Sequence, residues 1–212
     1  TLKKQIDFSD WGPCIYEEGN SCLVVTCVSL NDGATINSFR LFDESIFPFC
    51  NTEISADGKY IVFGFNDDRL RVFSTEKGQF IYTSKKFETK FKSLTVDRKR
   101  PMVYLALHSG DIVLLNYKTK KSERTRVSNA MFNAQCVASH PNGDIALFAN
   151  QYLITLYDFK QKKIFKQLDK KVDRIYSMAY DPTGRYLAIA TDKIQLKIWD
   201  LKFNKVVDSI QA

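Results

Sequence analysis

Histidine is scarce in this chain, and its scarcity excludes most of the chemistry that depends on an imidazole ring. Only His108 and His140 occur among 212 residues, each in a short turn between predicted strands. Hydrolytic triads need a histidine beside a nucleophile and an orienting acid. The two histidines belong to different classes of turn, predicted on opposite faces. We therefore interpret both as solvated turn residues and predict no catalytic site.

Glycine-rich loops and paired cysteine motifs are also missing. The nine glycines are scattered among the turns, which excludes the loops that cradle phosphate groups. Cys22 and Cys27 are the one close pair among five cysteines, and they lack the second ligand pair of a zinc site. We therefore predict no metal and no cofactor. An odd number of cysteines without a secretory signal indicates a reducing compartment, the nucleus or the cytoplasm.

Long apolar runs are absent as well. No stretch approaches the roughly 18 residues of a membrane-spanning helix, and no signal peptide stands at the amino terminus. The chain begins at Thr1 rather than at methionine, so we expect part of a longer protein. Acids are the minority charge, with 24 acidic against 31 basic residues and a net charge of +7. That balance is compatible with nucleic acid, acidic lipid or acidic protein partners.

What the chain does contain is a repeat with a period of 42 residues. One set of predicted strands begins, at that spacing, at Tyr60, Met102, Asp144 and Tyr186. The next set ends, at the same spacing, at Phe73, Leu115, Tyr157 and Trp199. A polar residue follows each of these ends, namely Ser74, Asn116, Asp158 and Asp200. Several short strands and no helix in a period of about 40–45 residues are typical of a propeller blade.

Polar turn residues separate the predicted strands. Short apolar runs bounded by Pro, Gly, Asp or Asn predict antiparallel strands joined by tight turns. Asp67, Asp68 and Asp192 stand in such turns, where a carboxylate accepts backbone hydrogen bonds, and we prefer that role to metal binding or acid/base catalysis. The period fills the chain and predicts one domain over residues 1–212. Its five repeats are 1–44, 45–87, 88–129, 130–171 and 172–212.

The repeats are unequal in quality. The first is the least regular, and its predicted strands are Trp11–Glu17, Cys22–Leu30 and Ile36–Phe42. The third shows two clear strands, Met102–Leu107 and Ile112–Asn116. Elsewhere the aromatic residues fall mostly on the inward phase of the strands, which favours core packing over stacking on a ligand.

The last repeat carries the pattern of a known family. The turn Asp181 to Gly184 precedes a strand through Ala190, Asp192 lies in the next turn, and the following strand ends in Ile198 to Asp200. This pattern resembles that of WD-repeat proteins, and the 42-residue period extends the resemblance over the whole chain. The Gly-His pair typical of that family is absent from every repeat, so the repeats must rely more on apolar packing.

The resemblance implies an all-β propeller of about seven four-stranded antiparallel blades, whose faces and rim dock other proteins. Five repeats are fewer than this, and an exposed sheet edge is a liability. Three arrangements would cover it: further blades elsewhere in the parent chain, a blade donated by a partner, or a true five-bladed ring. We favour further blades in the parent chain.

Basic residues supply the remaining candidate site. In a four-stranded antiparallel blade the first and third turns open on one face. Cations outnumber acids in those turns, Arg124 and Arg185 among them, so we predict one positive face and one nearly balanced face. Solvation alone would explain these lysines, because lysine protects sheet edges from aggregation. The candidate binding residues are Lys77, Arg98, Lys99, Arg100, Lys118, Lys120, Lys121, Lys160, Lys162, Lys163, Lys202 and Lys205.

We weigh three classes of function against these observations. The leading hypothesis is a non-catalytic scaffold for protein–protein interactions in an intracellular multiprotein complex, because repeats fill the chain and no catalytic set is assembled. The second is a subunit that contacts RNA or another polyanion through the positive face, for instance in ribosome biogenesis or splicing. The third is a propeller enzyme or cofactor binder with a site in the central channel, for which we find no converging His, Arg or acid residues.

Overall fold

The regular structure of this chain is made of β-strands. The computed structural model describes residues 4–6, 22–29, 34–42, 49–65, 67–126, 136–143, 145–149, 154–168, 174–193 and 195–211. Within these ranges every regular element is a strand, and every pair of neighbouring strands is antiparallel. The predicted all-β fold class is confirmed. The chain divides into two compact units, unit 1 (Thr1–Lys86) and unit 2 (Phe87–Ala212).

Unit 1 contains two sheets. Its strands are β1 Lys4–Ile6, β2 Cys22–Ser29, β3 Thr35–Phe42, β4 Phe49–Ile54, β5 Tyr60–Phe65, β6 Leu70–Ser74 and β7 Gln79–Thr83. Sheet I has the order β1-β2-β3, and sheet II has the order β4-β5-β6-β7. Every residue of β6 is buried, as are all residues of β5 after Tyr60. Such short apolar runs are typical of central strands with both faces covered.

Unit 2 contains three four-stranded sheets. Its strands are β8 Phe91–Val96, β9 Met102–Leu107, β10 Asp111–Asn116, β11 Ser122–Arg126, β12 Cys136–Ser139, β13 Ile145–Ala149, β14 Ile154–Asp158, β15 Lys163–Leu168, β16 Ile175–Tyr180, β17 Tyr186–Thr191, β18 Gln195–Asp200 and β19 Lys205–Gln211. Sheets III (β8 to β11), IV (β12 to β15) and V (β16 to β19) each follow chain order from strand to strand. Sheets II to V therefore have the form predicted for a blade.

The sequence pattern does not predict every strand, and β1, β8 and β11 are among those it misses. β1 has only three residues, and β8 mixes lysine and serine with its apolar residues. β11 reads SERTR, and it is almost wholly exposed, because it is an outer strand with little apolar surface to bury. Hydrophobic periodicity is the main signal for a strand, and these strands carry little of it. The predicted strand Trp11–Glu17 lies outside the described residues.

The core of unit 2 lies between neighbouring sheets. The first strand of sheet IV, β12, packs beside the first strands of sheets III and V, β8 and β16. Leu156 and Leu168 of sheet IV share one apolar cluster with Ile189 and Trp199 of sheet V. Burying a large apolar side chain stabilises the fold by about 1.5–3 kcal/mol. Each sheet of unit 2 therefore depends on its neighbour for stability.

The turn between the third and fourth strands has one geometry in sheets II to V. Its first residue accepts hydrogen bonds from backbone N–H groups two or three residues further along, and that residue is Ser74, Asn116, Asp158 or Asp200. Its fifth residue has a positive φ, and that residue is Gly78 (65°), Lys120 (62°), Lys162 (50°) or Asn204 (53°). The polar residue that recurs after each predicted strand therefore closes this turn.

Glycine allows the first turns of sheets III and IV to approach closely. The Tyr104 hydroxyl oxygen of sheet III lies 3.2 Å from the Gly143 carbonyl oxygen of sheet IV. A Cβ atom on Gly143 would lie 2.8 Å from Asp97 Oδ1, which is too close for ordinary packing. The Tyr104 ring also stacks on Phe159 of sheet IV, with ring centroids 4.4 Å apart.

The same arrangement joins sheets IV and V through His140. Its Nε2 lies 3.2 Å from the Gly184 carbonyl oxygen, and a Cβ atom on Gly184 would collide with the imidazole ring. The ring also meets Tyr180 edge-on, with centroids 5.0 Å apart. His140 is a half-buried contact between sheets, so our interpretation of it as a solvated turn residue is wrong. His108 is exposed.

Candidate functional site

Three turns of unit 2 carry a repeated set of lysines. We name them the lysine turns: residues 116–121 in sheet III, 158–163 in sheet IV and 200–205 in sheet V. Each has a lysine at its third and sixth positions, and the first two also have one at the fifth position. All eight lysines are exposed: Lys118, Lys120, Lys121, Lys160, Lys162, Lys163, Lys202 and Lys205.

The lysine turns lie at one end of their sheets, together with the turns between the first and second strands. Strand order follows the chain in each sheet, so alternate antiparallel turns share an end. The first turns of sheets III, IV and V meet at Gly143 and Gly184, which aligns these ends across unit 2. The first turn of sheet III adds exposed Arg98 and Lys99. We name the lysine turns with Arg98 and Lys99 the basic edge.

The carboxylates that begin the lysine turns of sheets IV and V are buried and serve the turns themselves. Asp158 and Asp200 are 9% and 2% exposed. The Asp158 carboxylate accepts hydrogen bonds from the backbone N–H groups of Lys160 and Gln161, both at 2.8 Å. Glu123 is an exposed acid beside one lysine turn, and its Oε1 lies 2.5 Å from Lys162 Nζ. Glu123 pairs with one of the eight exposed lysines, so positive charge is in excess at the basic edge.

The Arg100 guanidinium is bound by Asp97 and Tyr104, whereas the neighbouring Arg98 and Lys99 are exposed. Its Nε donates to Asp97 Oδ2 at 2.8 Å, and its Nη2 donates to the Tyr104 hydroxyl at 2.7 Å. Asp97 is 2% exposed and also accepts a hydrogen bond from the Tyr104 hydroxyl. Burial, together with the Asp97 carboxylate, raises the pKa of Tyr104. The Arg100 guanidinium therefore compensates a buried carboxylate.

Arg124 lies in β11 and not in a turn, which corrects its predicted place on the positive face. Its Nε donates to Asp111 Oδ2 at 2.9 Å, and its Nη1 lies 2.9 Å from Glu88 Oε2. Arg126 Nε donates to Asp111 Oδ1 at 3.0 Å. Burial alone would raise the pKa of Asp111, but hydrogen bonds from Arg124, Arg126 and Ser109 outweigh it and hold that pKa below its usual value.

The lysine turn of sheet V presents an exposed aromatic ring. Phe203 is 59% exposed. The cationic groups of Arg185, Lys202 and Lys205 lie 5.7, 5.5 and 5.9 Å from its ring centroid. Arg185 Nη2 also donates to Asp200 Oδ2 at 2.8 Å. The expectation that aromatic residues serve the core does not hold for Phe203, and the sequence signal for it was an aromatic residue at the tip of a polar turn.

The equivalent turn of sheet II is not basic. Lys77 is exposed there, but its neighbour Glu76 carries the opposite charge. Glu76 Oε1 pairs with Lys59 Nζ at 2.7 Å. Lys77 is therefore the one predicted binding residue in unit 1, and the other predicted binding residues lie in unit 2.

The predicted repeat positions serve the fold. The residues that mark the ends of the third strands are 0–6% exposed, and they are Phe73, Leu115, Tyr157 and Trp199. Asp192, in the turn between β17 and β18, is exposed. Its backbone N–H donates to the Arg174 carbonyl at 3.0 Å. These residues fix strand ends and turns.

The described residues contain no cluster of three or more His, Cys, Asp or Glu side chains that could hold a metal ion. Cys136 is free and buried, and burial raises the pKa of its thiol to about 12. In the same part of the chain, no helix has the length and apolar character needed to span a membrane.

Comparison with known proteins gives three related matches. The family model for the WD40 domain of anaphase-promoting complex subunit 4 matches residues 140–212. THO complex subunit 3 of Arabidopsis thaliana is 20% identical over 161 residues, which are 76% of this chain and 50% of that relative. WD repeat-containing protein 36 of Homo sapiens is 20% identical over 167 residues, 74% of this chain and 18% of that relative. The chain therefore spans half or less of the curated relatives it matches.

Proposed function

Because this chain is similar to WD-repeat β-propeller proteins, we propose that it is a non-catalytic scaffold that binds other proteins in a multiprotein complex. The observation that carries this proposal is that the matched family model and one relative are both named as subunits of complexes. The exposed turns of unit 2 provide a varied surface on rigid sheets, which is how loops on a scaffold acquire binding roles.

Affinity capture of the intact parent protein tests the scaffold proposal. We expect a fixed set of proteins to be recovered in constant proportion to the bait, and the bait to sediment in the lysate well above its monomer mass. A bait that sediments as a monomer and captures nothing in constant proportion would contradict the proposal. Imaging of the tagged parent protein would test our expectation of a nuclear or cytoplasmic location.

The number of blades in the parent protein is part of the same proposal. We propose that residues 1–212 form one propeller domain with further blades supplied by the parent chain, because the chain covers only part of its relatives. A structure of the intact protein would test this arrangement against a blade donated by a partner and against a five-bladed ring.

A second candidate function is favoured by the basic edge: a subunit that contacts RNA or another polyanion. Eight exposed lysines recur at equivalent positions of three adjacent sheets, and Asp158 and Asp200 at these turns are buried. Neutralising phosphates with lysines releases counterions, so binding would weaken steeply with added salt. This regularity goes beyond what protection of a sheet edge requires, since the equivalent turn of sheet II lacks it.

Charge reversal on the basic edge tests this second function. We expect the triple variant Lys121→Glu, Lys163→Glu and Lys205→Glu to elute from heparin at lower salt than the unmodified chain. The logarithmic salt slope for a single-stranded RNA should fall by about 2, at roughly 0.7 for each phosphate that the variant no longer neutralises.

The matched control reverses three exposed lysines outside the basic edge, by Lys77→Glu, Lys85→Glu and Lys90→Glu. The two triple variants have the same net charge, so a general charge effect would move both alike. Equal elution of the two variants would remove the polyanion function.

A further inference from the structure

The tip of the lysine turn in sheet V is chemically unlike the tips of the other two lysine turns. Phe203 stands where Thr119 and Gln161 stand in sheets III and IV. An apolar ring gains little for the fold at a site where 59% of its surface stays in water, because hydrophobic stabilisation follows the area removed from water. The fold therefore does not explain why this tip carries phenylalanine.

Cations surround this ring without covering it. Arg185, Lys202 and Lys205 lie 5.5–5.9 Å from the ring centroid, within the range of cation–π attraction. Arg185 is fixed by its hydrogen bonds to Asp200, at 3.1 Å from Nε and 2.8 Å from Nη2. The backbone N–H of Phe203 donates to the Asp200 carboxylate at 3.1 Å, so the turn that carries the ring is anchored as well.

The charge of the two lysines is available to a ligand. Within the part of the chain that the structure describes, neither Lys202 nor Lys205 forms an ion pair, and both are exposed. Asp200 is 2% exposed and is satisfied by Arg185 and by the turn backbone. The site therefore combines a partly exposed aromatic ring with positive charge beside it.

A nucleotide in a single strand carries a planar base and a nearby phosphate, which match these two features. Bases in a duplex stack on one another and are not open to a ring on a turn tip, whereas unpaired bases stack on exposed aromatic side chains. An acidic peptide would use the lysines and leave the ring without a planar partner. The chemistry of the site therefore favours single-stranded nucleic acid over an acidic protein segment.

We propose that Phe203 is a stacking platform for an unpaired base of single-stranded nucleic acid, with Lys202 and Lys205 contacting the adjacent phosphates. This proposal rests on the polyanion-binding function of the basic edge and adds a class of ligand and a point of contact to it. The lysine turns of sheets III and IV supply further phosphate contacts along the same nucleic-acid strand, and the unpaired base stacks on Phe203 at sheet V.

The test compares a labelled oligouridylate of about twelve nucleotides, a length within the range of single-strand sites, with an abasic oligomer of the same length and charge. Fluorescence anisotropy at low salt reports both. Phe203→Ala should weaken binding of the oligouridylate about 5- to 100-fold, as removal of one stacked base does, and leave binding of the abasic oligomer unchanged. Phe203→Tyr should keep the affinity, and Phe203→Leu should lose it.

Two further variants make the test specific. Gln161→Ala changes the equivalent tip of sheet IV and should have no effect on either probe. Gln161→Phe should tighten binding of the oligouridylate alone, because it adds a second ring beside lysines. The thermal melts of Phe203→Ala and the unmodified chain should coincide, since the ring is exposed.

The outcomes separate this proposal from the function on which it rests. Equal binding of both oligomers, unaffected by Phe203→Ala, overturns the stacking platform while the polyanion function stands. Failure of the unmodified chain to bind either oligomer or heparin at low salt overturns both. Binding of polyglutamate that weakens on Phe203→Ala as much as oligouridylate binding does would assign the site to an acidic protein segment and overturn the choice of nucleic acid.

Discussion

Lys120 has a backbone conformation that most residues with a side chain avoid. Its φ is 62°, and the equivalent positions of the other turns are occupied by Gly78, Lys162 and Asn204, all with positive φ. Glycine adopts this conformation without steric cost, and asparagine tolerates it. The turn therefore works with a lysine at its fifth position at the expense of some local strain.

Replacing Lys120 by glycine should stabilise the protein. We expect Lys120→Gly to raise the free energy of unfolding by about 0.5–1 kcal/mol, because relief of the left-handed strain exceeds the entropy that glycine adds to the unfolded chain. Lys121→Gly is the control, since Lys121 lies next in the chain without a positive φ. Lys121→Gly should lower the free energy of unfolding by a similar amount, and denaturant unfolding of both variants measures the two opposite changes.

Asp111 gives the stability a defined dependence on pH. Hydrogen bonds from Arg124, Arg126 and Ser109 hold its pKa below the usual value of 3.8. A lowered folded-state pKa adds stability that is present above the usual aspartate range and is lost as pH falls through the folded pKa. Asp111→Asn should therefore cost about 1–3 kcal/mol at neutral pH, the range for a buried hydrogen bond to a charged group.

The difference between Asp111→Asn and the unmodified chain should shrink as the pH is lowered below about 4, because the unmodified carboxylate then becomes protonated. Urea unfolding at a series of pH values measures this difference. Asp208→Asn, which changes an exposed aspartate of β19, should show almost no difference at any pH. A difference for Asp111→Asn that stays constant down to strongly acidic pH would refute the account of its ion pairs.

At the scale of the elements, a sheet of unit 2 is fastened to its neighbour by a turn as well as by its apolar face. The His140 ring fits against Gly184 only because that residue has no side chain, and Gly184 also has a φ of 75°. Gly184→Ala should destabilise the fold by about 2–4 kcal/mol, from left-handed strain and a steric clash together. Thermal or denaturant unfolding gives the value.

A double-mutant cycle separates the two causes. In a His140→Ala background the clash is gone, so Gly184→Ala should cost only the strain of about 1–2 kcal/mol. An equal cost in both backgrounds would show that His140 does not limit the space at Gly184.

The strands could be predicted where the repeat is apolar and not where it is polar. The sequence pattern predicts β9 with its observed bounds, Met102–Leu107, because its residues run apolar between turn signals. It does not predict β11, which forms by pairing with β10 although its side chains stay in water. A strand that forms by backbone hydrogen bonds to a neighbouring strand need not show a hydrophobic pattern in its sequence.

At the scale of the whole molecule, the sequence predicts where cations gather but not how each is used. Exposure of Lys118 to Lys121 follows from their place in a turn. The roles of Arg100 and Arg124 do not, because the guanidinium partners Asp97 and Asp111 are set by side-chain directions that spacing does not encode. Phe203 was missed because the aromatic residues were interpreted together as core packing, although its place at the tip of a polar turn indicates exposure.

The excess of positive charge should make stability depend on ionic strength. With a net charge of +7 and lysines aligned along the basic edge, like charges repel in the folded state more than in the expanded chain. Screening shortens from roughly 30 Å to 8 Å between about 0.01 and 0.15 M salt. The melting temperature should rise by about 2–4 °C over that range, as expected from about 1 kcal/mol of relief.

The triple variant Lys121→Glu, Lys163→Glu and Lys205→Glu should remove most of this rise, and circular dichroism melts measure both proteins. A melting temperature that falls with added salt would mean that ion pairs such as Lys162 with Glu123 outweigh the repulsion.

The turns between the third and fourth strands of sheets II to V share one backbone geometry, so the residues at their tips can be exchanged between sheets. A polar first residue and a fifth residue with positive φ define the loop in sheets II to V, and the residues between them do not change its backbone conformation. Grafting the six residues 116–121 onto positions 74–79 would transplant the lysines to unit 1 without rebuilding a strand. Repeats with one backbone geometry at this turn can therefore present different side chains to partners without a change in the strands that carry them.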